Sequence, residues 1–120
     1  MIRILIIDNE AENIERLSGY LKHDRDIEIL DTFENPIPAL DYLQTHEVDL
    51  IFSDVVMPQM SGISFVKELY AHPVHPKVVL MSGIPGFSLK TWNVEAFGFL
   101  IKPYDRNQIR ELLHRFKSHA

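Results

Sequence analysis

Leu50-Ile51-Phe52-Ser53-Asp54-Val55-Val56-Met57-Pro58-Gln59-Met60-Ser61-Gly62 is the stretch on which the fold turns. A short apolar run, too brief for a helix, leads straight into an acid and then into a Pro- and Gly-containing turn. That pattern predicts a buried strand over 49–53 and a loop over 57–62, with Ser61 as a helix N-cap. The same arrangement recurs on either side. Ile4-Leu5-Ile6-Ile7 ends in Asp8-Asn9-Glu10, Val78-Val79-Leu80-Met81 ends in Ser82, and Phe99-Leu100-Ile101 ends in Lys102-Pro103. Four short strands thus each deliver a polar group at their C-terminal ends. In an open parallel sheet that edge is where ligands bind. Two carboxylates, a hydroxyl and an amine gathered there suit a phosphoryl group and a divalent metal.

Helical patterns fill the intervals. Ile14, Leu17 and Leu21 recur at helical spacing within 11–22, and Ala39, Leu40 and Leu43 continue a helix begun at Pro36 and Pro38. Ile63, Phe65, Val66, Leu69 and Tyr70 make a third apolar face, which His72-Pro73-Val74-His75-Pro76 breaks. Residues 27–32, 77–81 and 97–101 read as strands, the first less buried than the others. A fourth, short helix is expected over 88–95 and a fifth over 105–117, where Ile109, Leu112, Leu113 and Phe116 face inward. Arg115 and Lys117 in its last turn suit the helix dipole. Five strands alternating with five helices imply a parallel sheet with helices on both faces.

Composition narrows the class. A length of 120 residues with 46% apolar content is enough for one ordinary domain core. The chain has no cysteine, which excludes disulfides, thiolate metal sites and a cysteine nucleophile. Arg3 is followed by only four apolar residues before Asp8, which is no signal peptide, and no run approaches the roughly 20 apolar residues of a membrane helix. A cytoplasmic protein without a membrane partner is the expectation. Residues 1–60 hold 13 acids against 4 Lys/Arg, net −9, whereas residues 61–120 hold 4 acids against 8 Lys/Arg, net +4. Neither half carries the strongly basic stripe of a nucleic-acid-binding domain. DNA contact, if any, belongs to a part outside this chain.

Asp54 is the residue on which chemistry would fall. A carboxylate can attack a phosphoryl group and form an acyl phosphate. Mg²⁺ and a cation such as Lys102 would offset the repulsion between the two anions. Mg²⁺ takes oxygen ligands and keeps several waters, so Asp8 and Asp54 suffice as its acids. Ser82 is placed to hydrogen-bond a phosphoryl oxygen. Singly, each residue has a plainer reading: Asp8 as a helix N-cap, Ser82 as a turn residue, Lys102 as a surface lysine. Their joint occurrence on alternating strands favours the chemical reading.

From Ile2 to about Phe116 the chain resembles the receiver domains of two-component response regulators. The motifs are the acidic site Asp8-Asn9, the turn from Asp54 through Met57-Pro58-Gln59-Met60-Ser61-Gly62, the pair Ser82-Gly83, and Lys102-Pro103. The resemblance implies an α/β, flavodoxin-like (CheY-like) five-stranded parallel sheet of order 2-1-3-4-5. It implies a regulatory domain rather than an enzyme, phosphorylated on Asp54 by a sensor histidine kinase or a histidine phosphotransfer protein. Asp8, Asn9, Asp54 and the Val56 carbonyl would hold Mg²⁺ (or Mn²⁺), with Ser82 and Lys102 serving the phosphoryl group. The family's Lys-Pro peptide is cis. Ser82 and Phe99 would form the switch, repacking the surface of the fourth helix, fifth strand and fifth helix, through which a homodimer could form; Trp92 lies near it. Gly83-Ile84-Pro85-Gly86-Phe87-Ser88-Leu89-Lys90-Thr91-Trp92 is similar to the corresponding stretch of LytTR-type (LytR/AlgR-like) receivers. The expectation is one receiver over 1–120 with the output domain absent from this chain.

Two departures from the family pattern matter. Asn9 stands where a second acid is usual, which would weaken metal binding and raises the alternative of a pseudo-receiver that binds partners without phosphorylation. Val56 and Ile84 border the position of the hydrolytic water, and neither can orient it, so slow self-dephosphorylation is expected. Two enzyme readings of the same fold fit poorly. A flavodoxin would need a Ser/Thr/Gly-rich loop where Asp8-Asn9-Glu10-Ala11-Glu12 stands. A haloacid-dehalogenase-type phosphatase would need Asp where Glu10 stands.

Overall fold

The computed structural model describes residues 1–84, 88–90 and 93–118. Strand β1 (Ile2–Ile7) pairs in parallel with β2 (Ile27–Phe33) on one side and β3 (Leu50–Asp54) on the other. Strands β4 (Lys77–Ser82) and β5 (Gly98–Ile101) continue the parallel sheet beyond β3. The order is β2-β1-β3-β4-β5, as the resemblance implies. Four helices are present among the described residues: α1 (Ala11–Leu21), α2 (Pro36–Leu43), α3 (Gly62–Tyr70) and α4 (Arg106–Ser118).

The continuous apolar runs are explained by burial on both faces of the sheet. Alternation along each strand sends neighbouring side chains to opposite faces. Ile4, Ile6, Phe52, Val79 and Met81 join Leu17 and Leu21 of α1 and Ile109, Leu112, Leu113 and Phe116 of α4 in one core. Leu5, Ile7, Ile51, Val78 and Leu80 join Ala39 of α2 and Phe65, Val66 and Leu69 of α3 in the other. Strand β2 lies at the edge of the sheet and mixes buried with exposed residues, in keeping with its polar alternation.

Helix starts follow local chemistry. Ser61 caps α3, its hydroxyl accepting from the Ser64 N–H at 3.1 Å. Asn35 caps α2 by accepting from the Ile37 N–H at 2.9 Å, with Pro36 in the first turn. The last turn of α4 makes specific contacts as well as facing the dipole. Arg115 donates to the Phe97 carbonyl at 2.7 Å, and Lys117 pairs with Asp24 at 2.8 Å and Asp26 at 3.1 Å.

The short helix expected over 88–95 falls in part on Thr91 and Trp92, which lie outside the described residues; of the others, Leu89, Lys90 and Asn93 lie in turns. Asn93 adopts a left-handed φ of 52°, its N–H bonding to the Lys90 carbonyl at 3.2 Å while the Val94 N–H bonds to the Leu89 carbonyl at 3.0 Å. Those two bonds with a left-handed residue are the closure that ends a helix. Val94 then turns into the α2/α3-side core. Thr91 and Trp92 lie outside the described residues, as do Pro85, Gly86 and Phe87 of the stretch likened to LytTR-type receivers.

Candidate functional site

Strand register brings the site together. Ile7 lies opposite Ser53, Asp54 opposite Met81, and Ser82 opposite Ile101. The residues at or just beyond those ends therefore emerge side by side on the C-terminal edge: Asp8, Asp54, Ser82 and Lys102. Three of them are buried, Asp8 at 0% exposure, Ser82 at 1% and Asp54 at 5%.

Lys102 ties the edge together. Its Nζ lies 2.9 Å from Asp8 Oδ2 and 3.3 Å from Asp54 Oδ2. The strand before it is anchored by the Lys102 N–H, which donates to the Ser82 carbonyl at 2.8 Å, and the Lys102–Pro103 peptide is cis. Asp8 Oδ1 accepts from the Glu10 N–H at 2.9 Å. Asp8 is therefore not the N-cap of α1; that position belongs to Glu10, whose side chain makes no capping bond. Asp54 Oδ1 accepts a long bond, 3.4 Å, from the Val56 N–H. Burial pushes the Asp54 carboxyl above the ordinary carboxylate range; Lys102 opposes that and Asp8 adds to it.

The turn after Asp54 explains the Gly62 of the motif. A Cβ on Gly62 would collide with the Asp54 carbonyl oxygen and stand 2.9 Å from Val55 Cα. The Gly62 N–H donates to the Val55 carbonyl at 2.8 Å, closing the loop back onto the strand end. Gln59, at φ 67°, is held by Asn35 Nδ2 donating to its Oε1 at 3.1 Å.

The remaining expected residues are placed as follows. The Ser82 hydroxyl accepts from the Ile84 N–H at 3.0 Å, so it serves its own loop in this state. Phe99 is half-buried on β5 and packs against the α2/α3-side core. Asn9 is exposed beside Asp8, and Val56 is 54% exposed at the rim. Tyr104 carried no signal in the sequence beyond following Lys102-Pro103. It is 7% exposed, its ring meets Tyr20 edge-on at 6.3 Å, and its buried hydroxyl has no hydrogen-bond partner among the described residues.

The donor set suits a hard cation. Asp8 and Asp54 offer oxygen only, from buried carboxylates. Among the described residues no three His, Cys, Asp or Glu side chains form a metal cage. Mg²⁺ needs none, since one or two carboxylates plus waters satisfy it. No helix among the described residues is long and apolar enough to cross a membrane.

A doubly covered parallel sheet with acids and a lysine converging at its C-terminal edge defines a flavodoxin-like protein with an anionic, lysine-bridged edge site. Residues 4–114 match the response regulator receiver domain, and the chain belongs to that family. An uncharacterized response regulatory protein of Shewanella oneidensis is 32% identical over 117 residues, covering 98% of this chain and 49% of that protein. Transcriptional regulatory protein BtsR of Escherichia coli is 30% identical over 118 residues, covering 98% and 48%. The chain thus spans about half the length of the curated relatives it matches. The response regulatory domain of mrkE from Klebsiella pneumoniae shares the fold with a TM-score of 0.89 at 23% identity, over 98% of this chain and 97% of that one.

Proposed function

We propose that Asp54 accepts a phosphoryl group from a sensor histidine kinase or histidine phosphotransfer protein. The observation that carries this reading is the Lys102 ammonium seated between two buried carboxylates, 2.9 Å from Asp8 and 3.3 Å from Asp54. In the reaction, an Asp54 carboxylate oxygen forms a bond to phosphorus as the phosphorus–nitrogen bond of the donor's phosphohistidine breaks, and the imidazole leaves. Lys102 holds Asp54 in place and faces the transferred oxygens, where developing charge is greatest. The burial of Asp54 keeps bulk water from the acyl phosphate. Ser82 gives up its turn bond to Ile84 and donates to a phosphoryl oxygen.

Asp8, Asp54 and the Val56 carbonyl, with the Asn9 amide oxygen beside them, would hold Mg²⁺ or Mn²⁺. When bound, the cation neutralises charge on the phosphoryl oxygens. Asn9 brings no charge of its own, so affinity is weaker than an acid there would give. Val56 and Ile84, both exposed and apolar, cannot orient an attacking water, and the phosphorylated state is long-lived.

The response runs through Ser82 and Phe99 to the surface of β5 and α4, where a second copy docks. The likeness of residues 83–92 to LytTR-type receivers, with relatives named transcriptional regulators that are about twice as long, supports an output on DNA through a separate domain. The test is intact-protein mass spectrometry after acetyl phosphate treatment, with Mg²⁺ and with chelator, on wild type and Asp54→Ala. One adduct that requires both Mg²⁺ and Asp54 supports the reading. A folded wild type that takes no adduct overturns it in favour of a pseudo-receiver, for which Asn9 is the residue that speaks.

A further inference from the structure

The loop that follows Asp54 is strained at its tip. The Met60 N–H donates to the Pro58 carbonyl at 2.7 Å across Gln59, whose φ is 67°. A bond between residues two apart, around a centre of positive φ, is the pattern of the γ-turn that is rare and strained. Glycine adopts such a φ freely, and glutamine does not. A conformation of that kind persists only where its surroundings hold it. The base of the loop is held by Gly62, whose N–H donates to the Val55 carbonyl at 2.8 Å. Val56 lies between that base and the tip.

The tip is held from outside the loop, by Asn35. The Asn35 side chain is used at both ends: Oδ1 accepts from the Ile37 N–H at 2.9 Å, and Nδ2 donates to Gln59 Oε1 at 3.1 Å. The first bond fixes the second. A backbone N–H only donates, so the amide oxygen faces Ile37 and the amide nitrogen is left to face Gln59. Asn35 is itself well anchored. Buried Pro36 follows it, and Phe33, two residues before it, accepts from the Asp8 N–H at 2.9 Å. One contact between residues 24 apart in the chain therefore links the segment tied to Asp8 with the loop that leaves Asp54.

We infer that Asn35 and Gln59 are positioning residues, whose amide–amide bond holds the strained turn, and through it the Val56 backbone, in the conformation that the cation site uses. This rests on the reading of Asp8, Asp54 and the Val56 carbonyl as that site. No covalent step is involved. The strain is what makes the strut necessary, since glycine at position 59 would form the turn unaided. The two roles of Asn35 are separable: serine caps a helix about as well as asparagine, but its side chain is too short to reach Gln59.

Asn35→Ser keeps the cap and removes the strut, Gln59→Ala keeps the strain and removes the strut, and Gln59→Gly removes both. These variants, wild type and the double variant Asn35→Ser/Gln59→Gly are compared by calorimetric Mg²⁺ titration, hydrogen exchange of the Met60 amide by NMR, and melting in chelator. Intact mass after acetyl phosphate treatment is read alongside. Asn35→Ser and Gln59→Ala should each bind Mg²⁺ about fivefold more weakly, the order of one neutral hydrogen bond, with faster exchange at Met60. Gln59→Gly should bind more tightly than Gln59→Ala, and adding Asn35→Ser to it should change nothing further. Unchanged Mg²⁺ affinity in Asn35→Ser overturns the inference, and a lowered melting temperature alone would then mark a purely structural contact. A loss in Asn35→Ser that persists in full on the Gln59→Gly background overturns it too, because the cap and not the strut would then be responsible. In both cases wild type still takes its Mg²⁺-dependent adduct, and the reading of Asp54 stands. A wild type that binds no Mg²⁺ and takes no adduct removes that reading and this inference with it.

Discussion

Replacing Lys102 with Met keeps most of the side-chain volume and removes the charge that holds the edge together. The ammonium contacts Asp8 at 2.9 Å and Asp54 at 3.3 Å, with the lysine side chain 16% exposed and the two acids 0% and 7%. At an effective dielectric of about 20, each contact is worth roughly 5 kcal/mol before desolvation is subtracted. Desolvation offsets much of that, and removing one partner of a buried pair typically costs about 3–5 kcal/mol, because the other charge stays buried. Here two like charges would remain facing each other, so the upper part of that range applies in chelator. For a domain of this size that corresponds to a fall in melting temperature of roughly 10–20 °C. Mg²⁺ at millimolar concentration should restore more stability to Lys102→Met than it adds to wild type, because the variant has lost its internal cation. Adding Asp8→Asn to Lys102→Met should recover most of the loss, since the two residues share one network. Thermal melts of the three proteins, with chelator and with Mg²⁺, measure all of this. Lys102→Met melting within about 2 °C of wild type in chelator would refute the argument that the lysine offsets buried carboxylate charge.

Three further outcomes are expected. Gly62→Ala should lower stability by about 1–3 kcal/mol and slow phosphorylation of Asp54, since its Cβ meets the backbone of Asp54 and Val55 rather than a movable side chain; urea unfolding and acetyl phosphate kinetics check this, and an unaffected variant would contradict it. Asn9→Asp should bind Mg²⁺ about tenfold more tightly, the order of one added carboxylate near a divalent ion, as read by calorimetry; equal affinity would show that the amide does not weaken the site. Asp49, hydrogen-bonded to Arg3 at 3.0 Å, has its carboxyl held below the ordinary range, first by that hydrogen bond. Its contribution to stability is therefore present above about pH 4 and lost as pH falls below it. The stability gap between wild type and Arg3→Ala should close over that acidic range, and the Asp49 carboxyl in the variant should titrate at higher pH by NMR.

Much of the fold was legible because the information is local. Ile4–Ile7, Leu50–Phe52 and Val78–Met81 are continuous apolar runs, which only strands covered on both faces require, and all three are buried. Pro36 and Ser61 marked helix starts through backbone chemistry that the residue itself imposes. The stretch 88–95 is less legible: Thr91 and Trp92 lie outside the described residues, while Asn93 takes the left-handed conformation that stops a helix and Val94 is drawn into the core beside α3. Tertiary packing places Val94, and spacing alone does not report tertiary packing.

The site divides along the same line. That Asp8, Asp54, Ser82 and Lys102 share an edge follows from strand ends in a parallel sheet, so sequence sufficed to gather them. Which of them touch does not follow, because contact depends on how far each side chain reaches across neighbouring strands. Lys102 sits at the end of β5 and Asp8 at the end of β1, with β3 and β4 between them, yet they form the shorter of its two ion pairs. Only a long, flexible lysine spans that gap, passing Asp54 on the way, and this accounts for one cation serving two acids. Ser82 lies between β3 and β5 in the row but is engaged with Ile84. The hydroxyl and the lysine thus share one property in the resting chain. Each holds hydrogen-bonding capacity that a new anion at Asp54 would recruit, so a single added phosphoryl group would rearrange both together.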